Sequence, residues 1–192
     1  VHPEPVVADQ TPAAICSGDE VGVDFSSSTS VSASTYNVTA IALNGGITVH
    51  IALQAPSYRI DFDALKAKIN ARTKMIIINS PHNPTGTILS ASDLEKLAEV
   101  TMDSDIIIIS DEVYEHIIFD GHTHQSVAQF DELARRSFII SSFGKTFHAT
   151  GWKIGYCLAP EKLMAEFRKV HQFLVFCVNA PVQFALAEFL QQ

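Results

Sequence analysis

The chain has 192 residues, with 13 Lys+Arg against 21 Asp+Glu for a formal net charge of −8; 47% of its residues are apolar and 18% are charged. The length predicts one domain with a core of its own, and the dry composition excludes a disordered polymer. An acidic balance without a Lys/Arg cluster argues against a surface that neutralises nucleic-acid backbone. Cys16, Cys157 and Cys177 are widely spaced and odd in number, which makes no disulfide framework, so a reducing, cytoplasmic compartment is expected. Residues Val1 to Thr11 lack the basic patch and apolar run of a signal peptide. The uncharged stretch His171 to Ala187 carries His, Gln, Asn and Pro, too many polar groups for a membrane span, so a soluble protein is expected.

In chain order, Ser26 to Thr35 is almost entirely Ser or Thr and sits in a stretch, Phe25 to Tyr58, without Asp, Glu, Lys or Arg; it reads as a flexible polar loop. Gly45-Gly46 closes an earlier helix and leads into a strand candidate, Thr48 to Leu53. Asp61 heads a helix through Leu65 and Ile69. A strand follows at Met75 to Ile78, then a helix from about Ser92, where Ser92 and Glu95 form a capping-box pair and Leu94, Leu97 and Ala98 give the inner stripe. Further strands are predicted at Ile106 to Ile109, Phe138 to Ile140 and Ile154 to Leu158. After Pro160, Leu163, Met164, Phe167, Val170 and Leu174 recur every three or four positions and predict a long amphipathic helix. Continuous Ile/Val runs alternating with helical segments predict the α/β class, with a mostly parallel central sheet and helices on both faces. There is no internal repeat.

In an open parallel sheet, ligands bind outside the carboxyl ends of the strands. The first clear strand is followed by Asn79-Ser80-Pro81-His82-Asn83-Pro84-Thr85-Gly86, the second by Ser110-Asp111-Glu112-Val113-Tyr114-Glu115, and the third by Ser141-Ser142-Phe143-Gly144-Lys145-Thr146 with Gly151-Trp152-Lys153-Ile154-Gly155 close behind. Amide, carboxylate, phenol, lysine and hydroxyls therefore collect toward one edge. Singly, each has a plain explanation: Asp111 as a helix N-cap, Asn83 as a turn residue, Tyr114 as half-buried packing, Lys145 as a solvated surface lysine. Their conjunction is what points to a site. Gly144-Lys145-Thr146 does not complete a Walker phosphate loop, which needs glycine where Ile139 stands. His116, His122 and His124 match no structural zinc spacing, and Asp120-Gly121 nearby reads as a surface turn, so no metal is expected.

These segments, Asn83-Pro84-Thr85-Gly86, Ser110 to Tyr114, and Ser142 to Lys145 with Gly151 to Gly155, resemble the signature set of class I/II aminotransferases, enzymes of fold type I that use pyridoxal 5′-phosphate (PLP). The wording of Ser141 to Tyr156 is most similar to the methionine and kynurenine (glutamine-type) transaminase branch. The resemblance runs from about Ile41 to the C-terminus. It implies that Lys145 holds PLP as a Schiff base, that Asp111 pairs with the pyridine nitrogen, and that Asn83 and Tyr114 hydrogen-bond the ring's phenolic oxygen. Ser142 and Lys153 would bind the phosphate. Lys145, Asp111 and Tyr114 are then the catalytic candidates.

The implied reaction is ping-pong transamination between methionine, glutamine or an aromatic amino acid and a 2-oxo acid, with the freed Lys145 amine moving the α-proton. A C–S lyase of the same cofactor and a non-catalytic fragment that binds PLP or a partner are the alternatives. The family pattern also implies a longer protein: residues 1–192 would be the large, PLP-binding domain, without the N-terminal arm, the small C-terminal domain and its substrate-carboxylate arginine. Ser17-Gly18-Asp19-Glu20 resembles the family's early turn, and Tyr36 is a candidate for the aromatic that stacks on the ring. A homodimer is implied, in which Phe173, Phe176 and Phe184 face a partner chain; ordinary core packing is the competing expectation for these rings.

Overall fold

The protein is seen in a computed structural model that describes residues 46–192. The chain divides into two compact units, Val1–His50 and Ile51–Gln192, and every helix and strand described belongs to the second. The Ser/Thr tract, the helix expected before Gly45, Ser17 to Glu20, Tyr36 and Cys16 lie outside the described residues.

The second unit runs α1 (Phe62–Lys68), β1 (Met75–Asn79), α2 (Ala91–Val100), β2 (Ile107–Asp111), α3 (Asp131–Ala134), β3 (Ser137–Ser142), α4 (Phe143–Thr146), β4 (Gly155–Leu158), α5 (Glu161–Leu174) and α6 (Ala180–Phe189). The sheet order is β1-β2-β3-β4, with the first three strands parallel and β4 antiparallel to β3. The expected α/β architecture with a mostly parallel sheet is thus what the sequence forms.

Residues of one register row point to one side of a sheet. Ile76, Ile108 and Ser137 share a row, as do Ile78, Ser110 and Ile139, and this face is sealed by Leu65 of α1, Leu94 and Leu97 of α2, Val127, and Leu133 of α3. Leu94, Leu97, Ile108 and Leu133 are fully buried there. The opposite face carries Ile77, Ile109 and Phe138 in one row. Phe138 meets Phe167 of α5, ring centroids 5.9 Å apart, so helices do lie on both faces. Coverage is uneven, since Met75 and Ile77 remain 46% and 69% exposed in β1.

Three sequence expectations need correction or refinement. The capping box of α2 is formed by Ser90 and Asp93, not Ser92 and Glu95: the Ser90 hydroxyl accepts from the Asp93 amide and Asp93 accepts from the Ser90 amide. Aspartate at the third helical position closes the box as glutamate would, and here Arg59 pairs with the same carboxylate at 3.0 Å, fixing the earlier start. Thr48 to Leu53 forms no strand; it joins no ladder of the described sheet, and Ile47 and Val49 are exposed. The helix after Pro160 is present as α5, but its apolar stripe is half-buried only at Leu163 and Met164 and increasingly exposed toward Leu174. Asp61 caps α1 as expected, its carboxylate accepting from Ala64 at 2.8 Å, with Ile69 as the C-cap.

Candidate active site

The carboxyl edge of the sheet is built by register. Asn79 and Asp111 are ladder partners at the ends of β1 and β2, and Ser142 at the end of β3 faces Gly155 at the start of β4. Because β4 runs antiparallel, its amino end lies at this edge, which brings Lys153 to the side from which Ser142 and Lys145 depart. All three strand exits singled out in the sequence therefore meet on one rim.

Asn79 ties the first two exits together. Its amide donates to the Asp111 carbonyl at 3.0 Å, while its Oδ1 accepts from the Asn83 backbone N–H at 2.9 Å. The loop it holds is stiffened by Pro81 and Pro84, with Gly86 at φ +72°, a conformation glycine adopts without a Cβ penalty. From this loop the Asn83 amide donates to the Tyr114 hydroxyl at 3.2 Å. Asn83, exposed, and Tyr114, half-buried, are thus brought together across two strand exits.

Asp111 ends β2 rather than capping a helix. Its Oδ1 accepts from the Val113 N–H at 3.2 Å, which begins the turn that carries Tyr114. Over the Tyr114 ring lies the Lys145 amine, 5.5 Å from the centroid, within the reach of a cation–π contact. Lys145 is half-buried in the short helix α4 and is not the solvated surface lysine of the plain reading. A Cβ at Gly144 would stand 3.1 Å from Thr150 Cα and 3.3 Å from the Ser142 hydroxyl, and one at Gly155 only 2.5 Å from the Ser141 carbonyl. Both glycines permit a close backbone approach that folds residues 143–154 back on the strand end. Lys153 has φ +52° and is exposed, and no hydrogen bond or ion pair is recorded between it and Asn83, Asp111, Tyr114 or Lys145.

A second set of residues supports this rim; of it, sequence reasoning had weighed only His124, as a metal candidate. Glu112 is buried, and its carboxylate accepts from Ser110 at 2.8 Å, from the Val127 N–H at 3.1 Å and from His124 Nε2 at 2.7 Å. Burial, the largest single influence, pushes this carboxyl up; hydrogen bonds from His124, Ser110, Ser126 and Val127 together outweigh it and hold the group below the ordinary carboxylate range. His124 is therefore a partner of a buried acid and not part of the surface turn at Asp120-Gly121, where both residues are exposed. Glu115 accepts from the Ser141 hydroxyl of β3 and, at 2.8 Å, from the Tyr156 hydroxyl of β4. Burial raises the Tyr156 phenol above its usual value; a bond from Ser141 opposes this, and the Glu115 carboxylate adds to the rise. Ligand atoms of Glu112, Glu115 and His124 come within 4.8 Å of one another; both Glu112 oxygens and the Glu115 Oε1 are taken up by the hydroxyls, the amide and the imidazole named above. The available signal was the spacing of two acids at i and i+3 around Tyr114, directly after an apolar strand.

The mostly parallel sheet with helices on both faces, which carries this rim, is the fold of the PLP-dependent transferase class. Solved structures of that class share the fold. YbdL from Escherichia coli, for which a methionine aminotransferase function was identified, superposes with a TM-score of 0.78 at 47% identity over 82% of this chain and 42% of its own. Cystalysin from Treponema denticola, whose crystal structure contains PLP, superposes with a TM-score of 0.58 at 27% identity over 61% of this chain and 30% of its own. The family model for aminotransferase class I and II matches residues 32–192, and the chain belongs to that family. Among curated relatives, a methionine aminotransferase of E. coli is 49% identical over 79% of this chain and 39% of its own length. Human kynurenine–oxoglutarate transaminase 1 is 40% identical over 69% and 31%. The chain thus spans about two fifths or less of the length of these curated relatives. The family uses PLP, as the resemblance implied. Among the described residues no helix is long and apolar enough to cross a membrane.

Proposed function

We propose that this chain is the PLP-holding large-domain portion of an aminotransferase that works on methionine, glutamine or an aromatic amino acid with a 2-oxo acid as acceptor. The observation that carries the proposal is the Lys145 amine over the Tyr114 ring with Asn83 bonded to the same phenol. The donor set suits the cofactor: one primary amine for its aldehyde, two donors for its phenolic oxygen, a carboxylate for its ring nitrogen, and the Ser142 hydroxyl with the Lys153 ammonium for its phosphate. The identity to the E. coli methionine aminotransferase supports the substrate class.

Bound there, PLP supplies an electron sink that makes the α-C–H bond of an amino acid acidic. Lys145 would attach the cofactor and, once displaced by substrate, would carry a proton between its Nζ and the substrate α-carbon. Asp111 would keep the ring nitrogen protonated by pairing with it. Asn83 and Tyr114 would orient the phenolic oxygen, and Ser142 and Lys153 would hold the phosphate, the first by a hydrogen bond and the second as a point charge. The close approaches at Gly144 and Gly155 keep bulk out of the backbone that surrounds the amine.

Joined to the arm and small domain that the family pattern implies and loaded with PLP, the chain is expected to convert L-methionine and a 2-oxo acid into methionine's oxo acid and a new amino acid. Chromatography of the products checks this. Release of ammonia and pyruvate from cystathionine without amino-group transfer would replace the proposal by a lyase.

A homodimer and a cytoplasmic location belong to the same proposal. Phe173, Phe176 and Phe184 are 86%, 85% and 77% exposed, so they are not the ordinary core that was the competing expectation. Large apolar side chains this exposed suit a surface that meets a partner. Sedimentation of the purified chain is expected to give a dimer; a clean monomer at micromolar concentration removes the dimer from the proposal. Cys157 and Cys177 are free thiols, which suits a reducing compartment, and fractionation of cells making the tagged chain tests the location.

A further inference from the structure

The turn that presents Tyr114 is anchored by the two acids that flank it. Within the turn the Glu115 N–H bonds the Glu112 carbonyl at 2.9 Å, and the Ile117 N–H bonds the Tyr114 carbonyl at 2.8 Å. Such local bonds shape a turn without fixing its position on the sheet. Position comes from the side chains. Glu112 fastens the near end to Ser110, Val127 and His124, all on the α3 side. Glu115 fastens the far end to the other half of the rim, through Ser141 on β3 and Tyr156 on β4.

Those two partners lead directly to the lysine lobe. Ser141 is buried and precedes Ser142, and the Tyr156 ring lies against Phe143, centroids 5.1 Å apart, while Phe143 stacks on Phe147 at 6.0 Å. Phe143 and Phe147 stand two positions before and two after Lys145, in α4 and its cap. One carboxylate therefore joins the residue next to Tyr114 to the rings that bracket Lys145. The contact it spans has little slack. A cation–π attraction fades beyond about 6 Å, and the Lys145 amine stands at 5.5 Å.

We propose that Glu115 is a positioning residue: by clamping the Tyr114 turn to Ser141 and Tyr156, it fixes the separation between the Tyr114 phenol and the Lys145 amine. The inference rests on the reading of those two groups as cofactor contacts. Replacing the carboxylate by alanine leaves two hydroxyls without their acceptor, one of them buried, and frees the turn to shift. Glutamine keeps a carbonyl oxygen at the same reach and is expected to hold the clamp.

The test uses the full chain with ring-labelled tyrosine, the Tyr114 signal being assigned by its loss in Tyr114→Phe. Without cofactor, Glu115→Ala is expected to move the Tyr114 ring signal while Glu115→Gln leaves it near its wild-type position. Leu65→Ala, a cavity in the core beneath α1, is expected to lower the melting temperature and leave that signal in place. With PLP added, Glu115→Ala is expected to displace the visible band of the bound cofactor, and Glu115→Gln to restore it. If Glu115→Ala does not fold, Tyr156→Phe removes one of the two clamping hydroxyls and is expected to move the same signal. A Tyr114 signal that ignores both substitutions, or that moves equally in Leu65→Ala, overturns the proposal. A wild-type chain that takes up no PLP while Glu115→Ala still moves Tyr114 overturns the cofactor reading and leaves the clamp standing.

Discussion

Replacing Lys145 by alanine is expected to abolish the visible band of enzyme-bound PLP and to lower transamination by on the order of 10⁴-fold, the upper range for loss of a positioned proton carrier. Alanine removes both the amine that would attach the cofactor and the base that would move the α-proton, so the two losses should appear together. The fold should survive. Lys145 sits in the four-residue α4, whose anchoring comes from Phe143 and Phe147 and from the backbone bonds of Phe147 to Phe143 and Ala149 to Gly144. Absorbance after dialysis, product assay and a melting curve on the same preparation separate these effects. An unchanged cofactor band in Lys145→Ala would remove the central assignment. A collapsed melting curve would instead make the lysine a structural residue.

The second large effect belongs to the buried acid. His124→Ala removes the shortest of the bonds to the Glu112 carboxylate and leaves a charge 2% exposed with one partner fewer. Breaking a buried pair from one side costs roughly 3–5 kcal/mol, and the remaining bonds from Ser110 and Val127 place this case near the lower end, about 3 kcal/mol. The pH dependence follows from the direction of the shift. A carboxyl held below its unfolded value contributes stability that is complete above about pH 4.3 and is lost as the pH falls through the lowered folded value. Without His124 the bond that does most to lower the group is gone while burial still raises it, so the carboxyl of the folded variant takes up its proton at a higher pH. Acid destabilisation should begin correspondingly earlier. Urea unfolding midpoints between about pH 3 and pH 7 check both statements; a variant as stable as wild type across that range would mean the pair carries no net energy.

The three parallel strands were legible because each contains a run of isoleucine too short and too β-branched for a buried helix, and the observed strand bounds differ from the expected ones by a residue or two. The ends were less legible for a physical reason. Ser110 and Asp111 extend β2, and Ser141 and Ser142 extend β3, because ladder pairing uses backbone groups and tolerates polar side chains at the rim. Asn83, Asp111, Tyr114, Ser142, Lys145 and Lys153 were legible as one edge from the strand-end rule, and their separate roles only through the resemblance. The structure joins Asn83, Tyr114 and Lys145 by direct contacts and puts the other three on the same rim. The partnership of Glu112, Glu115, His124, Ser141 and Tyr156 stayed hidden because burial of a polar group depends on partners a dozen or more residues away. His124 lies 12 residues from Glu112, and Tyr156 lies 41 from Glu115. The capping box was misplaced by two residues because Ser90, Ser92, Asp93 and Glu95 offer overlapping pairs; the Asp93 carboxylate of the observed pair also meets Arg59 from outside the helix.

The antiparallel strand β4 has a further consequence for the order in which the molecule comes together. Ser142 and Gly155 are ladder partners, so residues 143–154 leave the sheet and return to it on the same rung. Closing so short a loop costs little chain entropy, whereas joining β1 to β2 and β2 to β3 requires crossovers that bring residues about thirty positions apart into register. The backbone of the segment that carries the lysine pairs within its own neighbourhood, with Phe189 of α6 and Glu115 as its distant side-chain partners, while the carboxylate and the phenol are brought to the rim by the long crossovers. The amine thus sits in a locally closed loop, and the remainder of the site is delivered to it by the topology of the sheet.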